Sequence, residues 1–274
     1  MTTQSPAMDI NALKSRMRNT WMAGDFGVIA GYVAQAGSDF ISRLAIKPGS
    51  RVLDVACGTG NTAIPLARGG AIVTGVDIAS NLIEQARARA AKEGVKVTFE
   101  EGDAEQLKFG DGSFDAITTM FGAMFAPRPE RVVSEFLRVC RPGGLIAMGN
   151  WTPEGFVGEN FRTQAAHVPP PQGIPRPVLW GDEATVRERF GKGVSKITFS
   201  KQMCTFRFPV PPREVVEIFR KFFGPTQVAF ANLAPDKQAA LAADLEAVWH
   251  KHNQAKDGTT LVQGEYLEVQ AVRA

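Results

Sequence analysis

The sequence predicts an α/β protein built on a doubly wound, mostly parallel sheet. Three observations predict it. Strand-like and helix-like segments alternate regularly from Arg51 to Trp151, which implies right-handed βαβ crossovers with helices on both faces. The stretch Arg51-Val-Leu-Asp54-Val-Ala56-Cys57-Gly58-Thr-Gly60-Asn61 passes from an apolar strand into Gly-x-Gly and then into helix-compatible sequence. A strand ending in a glycine turn that opens a helix presents backbone N–H groups to a ligand. Finally, Asp54, Asp77 and Asp103 fall at the C-terminal ends of the first three expected strands. Those ends neighbour one another at the switch-point crevice of such a sheet.

Taken in order, Met1–Ala7 read as a loose end, and Asp9 is placed to cap a helix running to about Met22. Trp21, Phe26, Ile29, Tyr32 and Val33 give a short amphipathic segment around a Gly24-Asp25 break, and Asp39–Leu44 continues as helix. The turn Lys47-Pro48-Gly49-Ser50 leads to the first strand, Arg51–Ala56. Thr62–Arg68 is helical and stops at Gly69-Gly70. Ala71–Val76 is a second strand ending on Asp77, and Ser80 is expected to cap the helix Asn81–Glu93, closed by Gly94. Lys96–Glu101 and Phe114–Met120 are the third and fourth strands. Pro129–Cys140 is a helix expected to end at Arg141-Pro142-Gly143-Gly144, before a fifth strand at Leu145–Trp151.

Past Trp151 the rhythm changes. Pro153–His167 is helix-like, Val168–Pro177 is too proline-rich for regular structure, and Trp180-Gly181-Asp182 opens a short helix ending near Phe190. Val194–Phe208 alternates as a long strand. Helices follow from Pro211-Pro212 and from Pro235 to His252, and Leu261–Val272 closes the chain as a strand. One domain over residues 1–274 is expected, with a helical cap (1–45), a ligand-binding core (46–151), and closing strands with insertions that roof a pocket (152–274).

Composition bounds the function. The chain has 274 residues, 44% hydrophobic and 22% charged, with a formal net charge of +3. That is ordinary for a globular protein, and no run of Lys and Arg suggests a nucleic-acid partner. Cys57, Cys140 and Cys204 have no metal-ligand spacing and suggest a reducing compartment. With neither a signal-peptide core nor an apolar run of membrane-spanning length, a cytoplasmic protein with no membrane span is expected. A monomer or homodimer is expected.

Gly58-Thr-Gly60-Asn-Thr-Ala63 matches G-x-G-x-x-A, which fits a dinucleotide dehydrogenase as well as a binder of S-adenosylmethionine. The acids discriminate. Asp54 would oppose a pyrophosphate at several kcal/mol in order of magnitude, but suits a cationic sulfonium and ammonium ligand, directly or through the loop amides and ordered water. Asp77, nineteen residues after Gly58, stands where an acid accepts ribose hydroxyls. Gly102-Asp103-Ala104-Glu105 offers a carboxylate to an adenine amine and a backbone N–H to a ring nitrogen. Taken singly, each acid also has a bland reading as a loop cap or Asx turn.

Together these segments resemble a family. Val-Leu-Asp54-Val-Ala-Cys-Gly58-Thr-Gly60, Gly-Val-Asp77-Ile78, Glu-Gly102-Asp103-Ala-Glu105 with Ser113-Phe114-Asp115, and Leu-Arg-Val-Cys-Arg-Pro142-Gly143-Gly144 are similar to the class I S-adenosylmethionine-dependent methyltransferases. The nearest likeness is to the group with the ubiquinone and menaquinone C-methyltransferases. The resemblance covers about Gly37 to Trp151. It implies a Rossmann-like sheet of seven strands whose seventh is antiparallel, with Val194–Phe208 and Leu261–Val272 as strands six and seven. It also implies a cofactor site of Asp54, Ala56, Cys57, Gly58 and Gly60 at the methionine end, and Asp77 with Ile78 at the ribose. Gly102, Asp103, Ala104 and Glu105 would lie at the adenine, with Met120, Trp21 and Phe26 alongside. The chain departs from the family after the fourth strand. Many relatives have histidines there, whereas Phe121-Gly122-Ala123-Met124-Phe125 holds neither acid nor base.

The implied reaction is in-line displacement of the methyl group onto a small acceptor. His167, at the lip of the proline-rich loop, is the one candidate base, set against a structural role at a helix end; His250 and His252 read as surface. Phe121, Met124, Phe125, Trp151, His167 and Trp180 are candidate acceptor contacts, and the aromatic set suggests an apolar or aromatic acceptor. Two alternatives stay open: an NAD-dependent oxidoreductase, and a catalytically silent S-adenosylmethionine-binding protein.

Overall fold

The structure, a computed structural model, describes residues 9–274. The loose end expected at Met1–Ala7 lies outside the described residues. Seven strands form one sheet: β1 (Arg51–Val55), β2 (Ile72–Asp77), β3 (Thr98–Glu101), β4 (Phe114–Met120), β5 (Cys140–Trp151), β6 (Val194–Phe208) and β7 (Thr260–Arg273). Their order is β3-β2-β1-β4-β5-β7-β6. Strands β1 to β5 pair in parallel, and β7 runs antiparallel between β5 and β6. The helices are α1 (Ile10–Met22), α2 (Phe26–Tyr32), α3 (Ala34–Arg43), α4 (Ala63–Arg68), α5 (Ser80–Lys92), α6 (Pro129–Val139), α7 (Phe156–His167), α8 (Glu183–Phe190), α9 (Pro212–Phe222), α10 (Gly224–Ala231) and α11 (Pro235–His252).

Both faces of the sheet are buried, which is why its central strands read as nearly continuous apolar runs. Leu53, Ile117, Ile146 and Met148 share one core with Phe136 of α6 and with Val186 and Phe190 of α8. Val52, Val73 and Ala116 share another with Ile64 of α4 and with Ile83 and Ala86 of α5. Phe40 and Leu44, from α3 and its end, pack on Ala147. At the edge of the latter layer Arg43 donates to Glu268 Oε2 (2.7 Å) and to the Tyr266 hydroxyl (2.6 Å), tying α3 to β7.

Three local expectations need correction. Ser80 is the first residue of α5, not its cap; Ala79 is the cap, and the Asp77 Oδ1 accepts the Ala79 N–H at 2.9 Å. The segment Arg141-Pro142-Gly143-Gly144 does not separate α6 from the fifth strand. Cys140 already pairs with Phe114, and a bulge before the Ala116–Leu145 pair absorbs the turn residues. Helix α10, which opens on Gly224-Pro225, was not expected. Here the proline lies in the first turn, where its missing N–H costs nothing.

Candidate active site

Strand β1 delivers the glycine loop into the crevice between β1, β2 and β4. Ala56 (φ 53) and Phe121 (φ 59) are the two non-glycine residues with positive φ among the described residues. They face one another across that crevice, where such backbone strain is a mark of function. Gly122 must be glycine: a Cβ there would stand 2.5 Å from the Ala56 carbonyl oxygen. Gly60 (φ 86) packs against Ile64 and Phe99 rather than facing the opening.

Asp77 organises this loop. Its Oδ2 accepts the Gly58 N–H and its Oδ1 the Ala79 N–H, each at 2.9 Å. Burial raises its carboxyl above the usual range, and the amides of Ala79, Gly58 and Ile78 partly offset this by favouring the anion. Asp54 is placed otherwise than expected. It lies opposite Thr118 in the β1–β4 register, fully buried on the α4 side of the sheet. Its oxygens accept from Thr62 Oγ1 (2.6 Å) and Thr118 Oγ1 (3.0 Å). Burial pushes its carboxyl up to about 7 against the pull of those hydroxyls, the Ala63 amide also favouring the anion and the Asp77 charge opposing it. Asp54 therefore braces the start of α4 from below and does not line the crevice.

Helix α1 reaches over the ends of β2 and β3, which the sequence did not reveal. Lys14 Nζ bridges Asp103 Oδ2 and Glu105 Oε2, each at 2.6 Å. Arg18 donates to the Ile78 carbonyl and pairs with Glu101 at 3.0 Å. Asp103 also accepts the Glu105 N–H in an Asx turn. Glu105 is buried away from the opening, held by Lys14 and by the backbone and guanidinium of Arg128.

Two adjoining cavities result. A cleft of about 1070 Å³, open to solvent, is lined by Ala56, Cys57, Gly58, Asp77, Ile78, Gly102, Asp103, Ala104 and Met120. Lys14, Met17, Thr59 and Leu82, none of them expected, line it too. Ala104 lines it, and its N–H has no hydrogen-bond partner among the described residues. Beside the cleft lies a chamber of about 700 Å³, also open to solvent and lined largely from α2, α7, α9, α10 and α11, eleven of whose seventeen lining residues are aromatic. Trp21, Phe26, Val33, Phe121 and Phe125 line both cavities and form the wall between them. Phe121 stacks on Trp151 (centroids 3.6 Å apart, 9° between planes), and Phe156 meets Trp249 edge-on at 4.5 Å.

Of the other expected contacts, Trp151 lines the chamber, while Gly60, Asp54 and Glu105 line neither cavity. Three acceptor candidates line neither cavity. Met124 is a core side chain, Trp180 is buried beneath the Arg189 guanidinium, and His167 pairs with Asp244 Oδ2 at 2.7 Å outside both cavities. His252, expected at the surface, is partly buried between Glu159 (2.7 Å) and the Phe156 ring, whereas His250 is exposed. Ile29, Phe219, Phe223 and Trp249 complete the chamber. Their signal was a run of apolar residues at helical spacing, indistinguishable in sequence from ordinary core.

The glycine loop, the acid-tipped strands and this topology are those of a known class. A methyltransferase-domain family model matches residues 52–144, from β1 through the Pro142-Gly143-Gly144 segment. The fold recurs in phosphoethanolamine N-methyltransferase 2 of Haemonchus contortus, solved with phosphomonomethylethanolamine and S-adenosylhomocysteine. The TM-score is 0.54 at 21% identity, over 87% of this chain and 52% of that one. The chain belongs to the class I S-adenosylmethionine-dependent methyltransferases, and S-adenosylmethionine is its cofactor. The chain is similar over 97% of its length to an uncharacterised protein of Mycobacterium tuberculosis, Rv1403c, at 38% identity over 270 residues and 97% of that protein. The demethylmenaquinone methyltransferase of Beutenbergia cavernae is 36% identical over 135 residues, 46% of this chain and 55% of that protein. The assignment sets aside the oxidoreductase reading of Gly-x-Gly. Among the described residues no helix is long and apolar enough to cross a membrane.

Proposed function

We propose that the chain, folded as one domain, methylates a small lipophilic or aromatic acceptor held in the aromatic chamber. One observation carries this reading: the cleft shares a wall with a chamber whose lining, among the described residues, has no charged side chain. The cleft suits an adenosine-bearing ligand. Asp77 Oδ2 accepts the Gly58 N–H and Oδ1 the Ala79 N–H, and the carboxylate's four lone-pair sites leave room for a ribose hydroxyl. The unpartnered Ala104 N–H beside Asp103 suits an adenine edge, and the Ala56–Gly58 backbone suits the methionine end.

S-adenosylmethionine supplies a methyl carbon on a cationic sulfur: the acceptor's electron pair bonds that carbon as the C–S pair stays on sulfur. The protein's part is to bind, align and keep water out. Trp21, Phe26, Phe121 and Phe125 form the wall at which acceptor and methyl group would meet. No chamber-lining side chain among the described residues is a base, so a proton that a neutral acceptor gives up on methylation would pass to water and not to the chamber wall. The sterol and demethylmenaquinone methyltransferases among the partial relatives act, by name, on lipophilic acceptors.

The test has two arms. Calorimetry with S-adenosylhomocysteine and with NAD should give binding only to the first. Label transfer from methyl-tritiated S-adenosylmethionine to a panel of neutral ring compounds, phosphoesters and amines should mark the ring compounds. Label confined to phosphoesters or amines overturns the acceptor reading.

A further inference from the structure

The chamber is not uniformly apolar. Three of its lining residues are polar and uncharged, Asn160, Gln164 and Thr226. Asn160 and Gln164 stand four residues apart on α7, so they share a face of that helix. The Thr226 hydroxyl, from α10, donates to Gln164 Oε1 at 3.1 Å. That bond fixes the Gln164 amide and leaves its Nε2 without a protein acceptor among the described residues. The Asn160 side-chain amide likewise makes no hydrogen bond to a described residue. None of the three lines the cofactor cleft. The polar group therefore lies on the chamber's own wall, not on the wall shared with the cleft.

An apolar chamber with a single uncharged polar cluster holds ligands of one kind. Its apolar surface takes a ring system, and the fixed amide donors take one neutral oxygen. A carboxylate or ammonium group entering here would lose its hydration and meet no opposite charge, a loss the lining does not offset. A plain hydrocarbon would leave the Gln164 amide half-satisfied.

We propose that Gln164, held by Thr226 and flanked by Asn160, anchors a hydroxyl or carbonyl oxygen of an uncharged, ring-containing acceptor. The anchored oxygen lies away from the shared wall, so a different atom of the acceptor is presented for methylation. Gln164 is a positioning and specificity residue. The inference rests on the chamber being the acceptor site.

The test compares three probes of one size, 2-naphthol, 2-methylnaphthalene and 2-naphthoate, by equilibrium dialysis on the full chain saturated with S-adenosylhomocysteine. Wild-type protein should bind 2-naphthol about tenfold more tightly than 2-methylnaphthalene, the value of one well-placed hydrogen bond, and bind 2-naphthoate most weakly. Gln164→Leu and the near-isosteric Gln164→Met should bring the first two within about twofold of each other while binding of 2-methylnaphthalene persists. Equal wild-type binding of 2-naphthol and 2-methylnaphthalene, or tighter binding of 2-naphthoate, overturns the inference and leaves the acceptor chamber standing. So does a uniform loss of both neutral probes in folded variants with the preference intact. Failure of wild-type protein to bind any probe overturns the acceptor reading itself. The wild-type comparison needs no variant, so a misfolded substitution leaves the test decisive.

Discussion

The cleft and the chamber share a wall but are assembled in opposite ways. The cleft is made largely of loop backbone at the ends of β1, β2, β3 and β4, with acids pinned by amides. The chamber is made of side chains drawn from Trp21 to Trp249, with no charge among them. A backbone-built site tolerates drift in most side chains because its N–H groups come with the fold. A side-chain-built site can be retuned residue by residue. On the reading proposed above, the cleft would carry the chemistry common to the class and the chamber what is particular to this chain.

Substitutions on either side of the wall break or sharpen that division. The largest effect is expected from Asp77→Ala, which frees the Gly58 and Ala79 amides as well as a ligand contact. S-adenosylhomocysteine affinity should fall about 100-fold or more, and thermal stability with it. Wild-type affinity by calorimetry would remove Asp77 from the site.

Asp54→Asn tests the buried brace. The folded-state carboxyl titrates near 7 and an unfolded one near 4, so the unfolded chain loses its proton first as pH rises. Wild-type stability accordingly falls between about pH 4 and pH 7 and then levels off. The variant escapes this loss and should gain about 2 kcal/mol on wild type across that window, in urea unfolding at pH 4.5 and 7.5. A stability difference independent of pH would mean that Asp54 is ionised throughout.

Trp21→Ala opens the shared wall. It should weaken S-adenosylhomocysteine and a neutral probe such as 2-naphthol by about tenfold each. Phe161→Ala touches the chamber alone, so the probe should weaken about fivefold while cofactor affinity stays within about twofold. If Phe161→Ala weakens the cofactor equally, the two cavities are one site. The smallest effect belongs to His167→Ala. With its imidazole engaged by Asp244 outside both cavities, turnover should be unchanged. A large loss of kcat with an intact fold would restore it as a base.

The family was legible in the sequence, though one step towards it was physically misplaced. Asp54 was read as favouring a cationic ligand, directly or through the loop amides and ordered water, and the direct contact is the misplaced part. Strand alternation instead turns it to the α4 side, where Thr62 and Thr118 take both oxygens. Asp103 sits at the cleft as expected, but nothing local foretold that Lys14, eighty-nine residues earlier, would bridge it to Glu105.

The sequence by itself determined the alternation of strands and helices, the glycine loop and the acid at the end of β2. Each depends on neighbours within about twenty residues: pattern period, turn chemistry and the spacing across one crossover. Only the tertiary structure decided which aromatic side chains face a cavity rather than core, that Lys14 of α1 bridges Asp103 and Glu105, and that Gln164 meets Thr226. Those contacts join segments tens to hundreds of residues apart. An aromatic residue at helical spacing carries the same local signal whether it fills a core or lines a pocket.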